Sequence, residues 1–201
     1  MKQNWKLFSL FTAFSLVLLI YPPSIHAQSK YMTRNGLIRF EAEGPIKDDI
    51  KAINNQGGCV LDAATGDILF KIPIKSFVFR KALMQEHFNE NYMESHKFPT
   101  AELRGKIEGF SQATLQNSGV RQVVVAGKMT VHGVTRDTRE KGTLEVKDGK
   151  ILLRSDFVVA LADYGINIPK IVEDKLAKVA QVNLSMDLVP VGQEPQRNRV
   201  E

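Results

Sequence analysis

The sequence predicts an all-β domain of about eight mostly antiparallel strands, and three observations carry that reading. Apolar and polar residues alternate with period two through most of the chain, turn residues interrupt the alternation at short intervals, and only one stretch shows helical spacing. Strands with one apolar face must close on themselves or stack to hide their edges, so this pattern admits a barrel or a sandwich equally.

The leading segment is set apart from the fold. Lys2 and Lys6 precede an uncharged apolar stretch, Leu7 to Tyr21, which Pro22 and Pro23 break. It is short for a membrane span, and the small residue Ala27 follows it, so residues 1–27 read as a secretory signal peptide. That reading places the remainder in the periplasm or outside the cell, with no stable membrane span in the mature chain. No cysteine lies near the cleavage point, so no lipid anchor is expected. Residues 28–190 form one domain and residues 191–201 a polar tail. Without Lys2 and Lys6, 25 basic residues face 22 acidic ones, for a net charge of +3. The basic residues alternate with acidic ones, as at Arg39 and Glu41, and no basic run or aromatic-basic module occurs, so no nucleic-acid partner is expected.

Along the domain, Ile38, Phe40 and Ala42 alternate with Arg39, Glu41 and Glu43 to give the first strand. Ile68, Phe70, Ile72 and Ile74 alternate with Leu69, Lys71, Pro73 and Lys75. Pro73 cannot donate to a ladder, so it marks an edge, a bulge or a loss of pairing. Phe77 and Phe79 fall on the opposite parity to Ile74, which a one-residue bulge near Lys75 or Ser76 would reconcile. From Arg80 to Ser95 the rhythm changes: Met84, Phe88 and Tyr92 recur at four-residue spacing beside Leu83 and His87, which predicts an amphipathic helix packed on the rest of the domain. His96-Lys97-Phe98-Pro99 ends it.

Two further strands carry Ala101, Leu103, Gly105 and Ile107, and then Val123, Val125, Met129 and Val131, with Ser111 to Gly119 as a polar loop between them. Gly133 in His132-Gly133-Val134-Thr135 predicts a structural corner. Leu144 and Val146 lead into Asp148-Gly149, a two-residue hairpin signal, and Ile151, Leu153, Phe157, Val159 and Leu161 continue beyond it. Ala180, Val182, Leu184, Met186 and Leu188 form the final strand.

Chemistry-bearing constellations are sparse. Cys59 is the single cysteine and reads as a buried structural thiol, since no base or cation lies beside it in sequence. His87, His96 and His132 do not stand at metal-ligand spacing, so no metal site is expected. No phosphate loop or nucleophile elbow occurs, and no catalytic residue is expected.

Three segments carry a resemblance. Gly127-Lys128-Met129-Thr130-Val131-His132-Gly133-Val134-Thr135-Arg136 closely resembles the signature strand and turn of the YceI-like family, and Asp163-Tyr164-Gly165-Ile166 and His96-Lys97-Phe98-Pro99 with Ala101-Glu102-Leu103 are similar to two more of its segments. The resemblance implies an extended, eight-stranded antiparallel lipocalin-like barrel with one short helix, whose tunnel accommodates a polyisoprenoid or another apolar lipid. Containment rather than catalysis is then the activity, and no cofactor is implied beyond the bound lipid. The implied ligand-binding residues are Phe40, Phe70, Ile72, Val125, Met129, Phe157, Val182 and Leu184 on the strands. Phe77, Phe79, Met84, Phe88, Tyr92, Met93, Tyr164 and Ile166 join them from the helix and its surroundings. The chain departs from the family before and within the helix. An arginine-aspartate pair and a histidine are common there, whereas this chain reads Lys81-Ala82-Leu83-Met84-Gln85-Glu86-His87, and Tyr92-Met93 replaces a phenylalanine pair. Two other readings stand beside the lipid carrier: a structural or interaction barrel filled by its own phenylalanines, and an enzyme acting on a lipid or quinone.

Overall fold

A computed structural model of the chain describes residues 30–42, 50–167 and 178–192. The expected signal peptide and most of the expected polar tail lie outside the described residues. The strands are β1 (Lys30–Ala42), β2 (Ile50–Asp62), β3 (Asp67–Pro73), β4 (Val78–Phe79), β5 (Thr100–Ile107), β6 (Gly119–Val131), β7 (Val134–Lys147), β8 (Lys150–Ala160) and β9 (Val179–Pro190). Neighbours run antiparallel in the order β1-β9-β8-β7-β6-β5-β3-β2, and β1 pairs back onto β2. Eight strands therefore close into a barrel, and the two-residue β4 adds to β2 at Ala52 and Ile53. Closure pairs the two outer edges, β1 and β2, that an open sheet would leave free.

The alternation read from sequence sets the register. Phe70 faces Leu103 across β3 and β5, Leu103 faces Met129 across β5 and β6, and Phe157 faces Val182 across β8 and β9. Each pair shares the inner face, because directly opposed residues of an antiparallel ladder point the same way. Two primed hairpin turns fix the ladder ends. His132 and Gly133 have φ of 50° and 75°, and Asp148 and Gly149 have φ of 51° and 72°, the twist that joins adjacent strands tightly.

Three expectations need correction. No bulge reconciles Ile74 with Phe77; a 3-10 turn, Ile74–Ser76, does so, and pairing passes from β5 on one side to β2 on the other. The helix is shorter than Arg80 to Ser95: α1 spans Ala82–His87 and continues as a single π-helical turn, Phe88–Tyr92. The polar loop from Ser111 to Gly119 contains a one-turn helix, α2 (Ala113–Gln116). The strand β2 carries no clean alternation, because Asn54, Asn55, Gln56, Gly57 and Gly58 interrupt it. Asn54 is nonetheless fully buried: its Nδ2 donates to the carbonyl of Pro73 at 2.8 Å and its Oδ1 accepts from the Gln56 amide at 2.8 Å. It thereby satisfies the backbone where β3 ends.

The two ends of the barrel differ. At the end bearing the β7–β8 hairpin, Leu61, Ile107, Leu144, Ile151, Met186 and Leu188 are fully buried and fill the interior. Each such side chain contributes roughly 1.5–3 kcal/mol relative to exposure. The opposite end carries α1, the π turn and a 3-10 turn, Leu161–Tyr164.

Candidate internal binding site

The barrel is hollow between its plugged end and α1. A central cavity of about 140 Å³ is lined by the predicted residues Phe40, Phe70, Ile72, Phe77, Phe88, Met93, Met129, Phe157, Ile166 and Val182. Glu102 also borders it, and its carboxylate is engaged by Lys71 at 2.8 Å. A smaller cavity of about 60 Å³ lies under α1, where Phe79, Met84 and Tyr92 join Phe40, Phe88, Met93 and Ile166. A third, of about 50 Å³, lies towards the plugged end, where Val125 and Leu184 join Phe70 and Phe157. Shared walls make the three voids one interrupted channel. Phe40 and Phe88 divide the first two; Phe70, Leu103 and Phe157 divide the first from the third.

Of the sixteen residues expected in the tunnel, Tyr164 alone borders none of these cavities; it is buried behind them. Ile38, Ile74, Ala101, Leu103 and Ala180 line the central void although the expected set omits them. Their parity along the strands was the signal that identifies them. Glu140 and Ser155 line the third cavity, and no period-two pattern announces them.

Four phenylalanines wall the end under α1. Phe88 lies 4.8 Å from Phe79, 5.6 Å from Phe77 and 5.8 Å from Phe40, ring centre to ring centre. The tilted and edge-on arrangements are the favourable ones for aromatic rings. The stripe predicted for the helix is therefore inward-facing at Phe88, half-buried at Met84 and Tyr92, and outward at Leu83, which is 62% exposed. Burial pushes the Tyr92 phenol above its ordinary pKa.

Polar groups stand at the edge of this site. Both ring nitrogens of His132 face acceptor oxygens: Nδ1 lies 3.2 Å from the Tyr164 carbonyl and Nε2 lies 3.1 Å from Glu94 Oε2. Phe98 packs edge-on against the same imidazole at 4.6 Å. The β6–β7 corner is thus tied to the segment after the helix and to the 3-10 turn. The hydrogen bond from Lys97, and then that of His132, holds the Glu94 carboxyl below the usual carboxylate range. Cys59 is buried on β2 opposite Phe70, and burial alone pushes its thiol pKa far up, as expected of a structural residue. Among the described residues no group of three or more potential metal ligands occurs.

The comparisons with known proteins agree with this architecture. A family model described as a YceI-like domain matches residues 34–189. A polyisoprenoid binding domain from Saccharophagus degradans, implicated in plant cell wall breakdown, superposes with a TM-score of 0.66 at 11% identity, covering 81% of this chain and 98% of that one. BcnA of Burkholderia cenocepacia superposes with a TM-score of 0.61 at 12% identity, covering 75% of this chain and 95% of that one. Among curated proteins no relative matches the chain.

Proposed function

The chain belongs to the YceI-like family, and from that premise we propose that it binds a long apolar lipid, of polyisoprenoid type, in the channel between α1 and the plugged end. The single observation that carries this reading is the central void, walled by aliphatic and aromatic side chains in a barrel whose far end is packed solid. Burying a hydrocarbon there gains roughly 0.8 kcal/mol per methylene-sized unit, with no need for hydrogen bonds. The Saccharophagus degradans domain of the same fold, which binds a polyisoprenoid, supports the ligand class. The activity is sequestration or carriage rather than chemistry, and the charged start and apolar stretch of residues 1–27 support a periplasmic or secreted site of action.

A void of about 140 Å³ holds only a small part of a prenyl chain. Binding a full chain therefore requires Phe88, Phe40 and Phe157 to turn aside so that the three voids join. The same aromatics support the second reading, a barrel filled by its own side chains. The two separate experimentally: delipidated protein is incubated with geranylgeraniol and examined by native mass spectrometry. A one-to-one adduct that disappears in Ala101→Phe, which fills the central void, supports the carrier. Absence of any adduct from the folded parent protein supports the filled barrel.

A further inference from the structure

The barrel is closed by topology but split along half of one seam. β6 and β7 pair without interruption from Gly119↔Val146 to Val131↔Val134, and β8 pairs with β9 along its length, from Ile151 to Ala160. Between β7 and β8, by contrast, the ladder runs only from Lys147↔Lys150 to Thr143↔Arg154. Residues 134–142 of β7 and residues 155–160 of β8 have no ladder partner in one another. The strands part at a definite point. A Cβ on Gly142 would lie 2.5 Å from the Arg154 carbonyl oxygen, so the backbones still touch there. One residue further along each strand, Ser155 Oγ donates to the Lys141 carbonyl at 2.7 Å, a side chain standing in for a ladder bond.

The third cavity reaches this split, with Lys141, Gly142, Arg154 and Ser155 in its wall. Phe70, Leu103 and Phe157 alone stand between it and the central void, so rotation of Phe157 would join the two. The inner face of β7 changes character at the same place. Register sets Glu140 beside Val125, Thr138 beside Gly127 and Arg136 beside Met129, so three polar side chains in succession occupy the inner phase of β7. A continuous β7–β8 ladder would enclose Glu140 opposite Phe157; the split leaves that side of Glu140 uncovered by β8.

We infer that the split between β7 and β8 is where the polar end of the bound lipid leaves the channel, and that Glu140 selects an uncharged, hydrogen-bond-donating end such as a hydroxyl over a phosphate. This rests on the lipid-binding reading of the channel. Glu140 lines the cavity on the inner side, and Thr138 Oγ1 donates to one of its carboxylate oxygens, leaving the other to accept from a ligand. Lys141 stands on the outward phase of β7, opposite Val124, and the two nearby arginines are engaged elsewhere. Arg154 donates to the carbonyls of Leu153 and Met186 and pairs with Asp187 at 2.7 Å, while Arg136 donates to the Asp163 carbonyl. The charge of Glu140 is also one cause, after burial, of the raised pKa of Tyr164, which places a carboxylate field along this margin. A phosphate brought there meets a like charge, and like-charge juxtaposition in a confined site is costly.

The test uses the full delipidated protein with farnesol and farnesyl phosphate as probes at neutral pH. Farnesol is expected to bind more tightly by about tenfold or more, and Glu140→Gln to narrow that ratio several-fold while farnesol binding persists. Equal or tighter binding of the phosphate by the parent protein overturns the inference and leaves the channel reading standing. Failure of both probes to bind overturns the channel reading and the inference with it. A benzophenone-ended farnesyl probe tests location independently of any variant: cross-links to residues 138–142 or 155–158 support the split, and cross-links to residues 84–92 overturn it.

Discussion

The rings of Phe88 and Phe79 stand 4.8 Å apart and tilted at 48°, and this pair joins the short helix to the barrel wall. Phe88 comes from the π turn that continues α1, Phe79 from the two-residue β4 that pairs with β2. Phe79 lines the void under the helix and holds Phe88, which with Phe40 divides that void from the central one, so the placement of Phe88 governs whether the channel is continuous at that end.

Truncating Phe88 joins the two voids. Phe88→Ala is expected to cost about 3–5 kcal/mol of stability and to speed release of a bound prenyl chain. Stopped-flow release is followed alongside circular dichroism and thermal melting, with Phe88→Leu as the milder companion. Unchanged release from a folded variant would reduce the helix to a packed element with no gating role.

The β6–β7 corner depends on Gly133. Its φ is 75°, and a Cβ there would lie 2.5 Å from Phe98 Cε1. Gly133→Ala is therefore expected to lose about 1–3 kcal/mol, read from chemical denaturation, while prenol affinity changes little in the folded fraction. His132→Ala should also lower stability, since it severs links to Glu94 and Tyr164, again without loss of ligand.

Acid should loosen the fold through carboxylates held below their ordinary range. Glu94 is lowered chiefly by its hydrogen bond from Lys97, Glu102 by that from Lys71 and Glu108 by that from Arg139. A carboxyl whose folded pKa is depressed contributes stability above its unfolded value, about 4.3, and loses it as pH falls through the folded value. Urea midpoints are expected to be flat above that pH and to fall below it, with a shallower fall in Glu102→Gln. A midpoint that rises on acidification would contradict this assignment.

The thiol of Cys59 is 1% exposed, and burial keeps it protonated. Ellman's reagent is expected to leave it unmodified in the native protein and to titrate one thiol after unfolding. Rapid native labelling would show that β2 opens locally near Phe70.

The strands that alternate cleanly were legible in the sequence, and so was the closed sheet they imply once joined to the family resemblance. Ile38 and Phe40 on β1, Leu103 on β5 and the run from Ala180 to Leu188 on β9 take the faces that their parity predicts. Two stretches were not legible for one shared reason, that polar residues occupy inward positions. On β2, Asn54 is buried because Pro73 and Gln56 satisfy it, a pairing set by tertiary contact and invisible to periodicity. On β7, Thr138 and Glu140 sit on the inner phase because the strand has lost its β8 neighbour there. The helix length was overestimated because apolar spacing continues through Tyr92 and Met93, whereas the backbone widens into a π turn and then reverses at Glu94, whose φ is 40°. The apolar part of the site was therefore readable from parity, and its polar margin was not.

The most direct test of the central claim is native mass spectrometry of the protein purified from its own cells without detergent. The channel between α1 and the plugged end predicts an added mass of lipid that survives gentle ionisation, vanishes on denaturation and extracts into organic solvent as a prenyl-chain compound. A bare polypeptide mass, together with no uptake of geranylgeraniol by the folded protein, would contradict it.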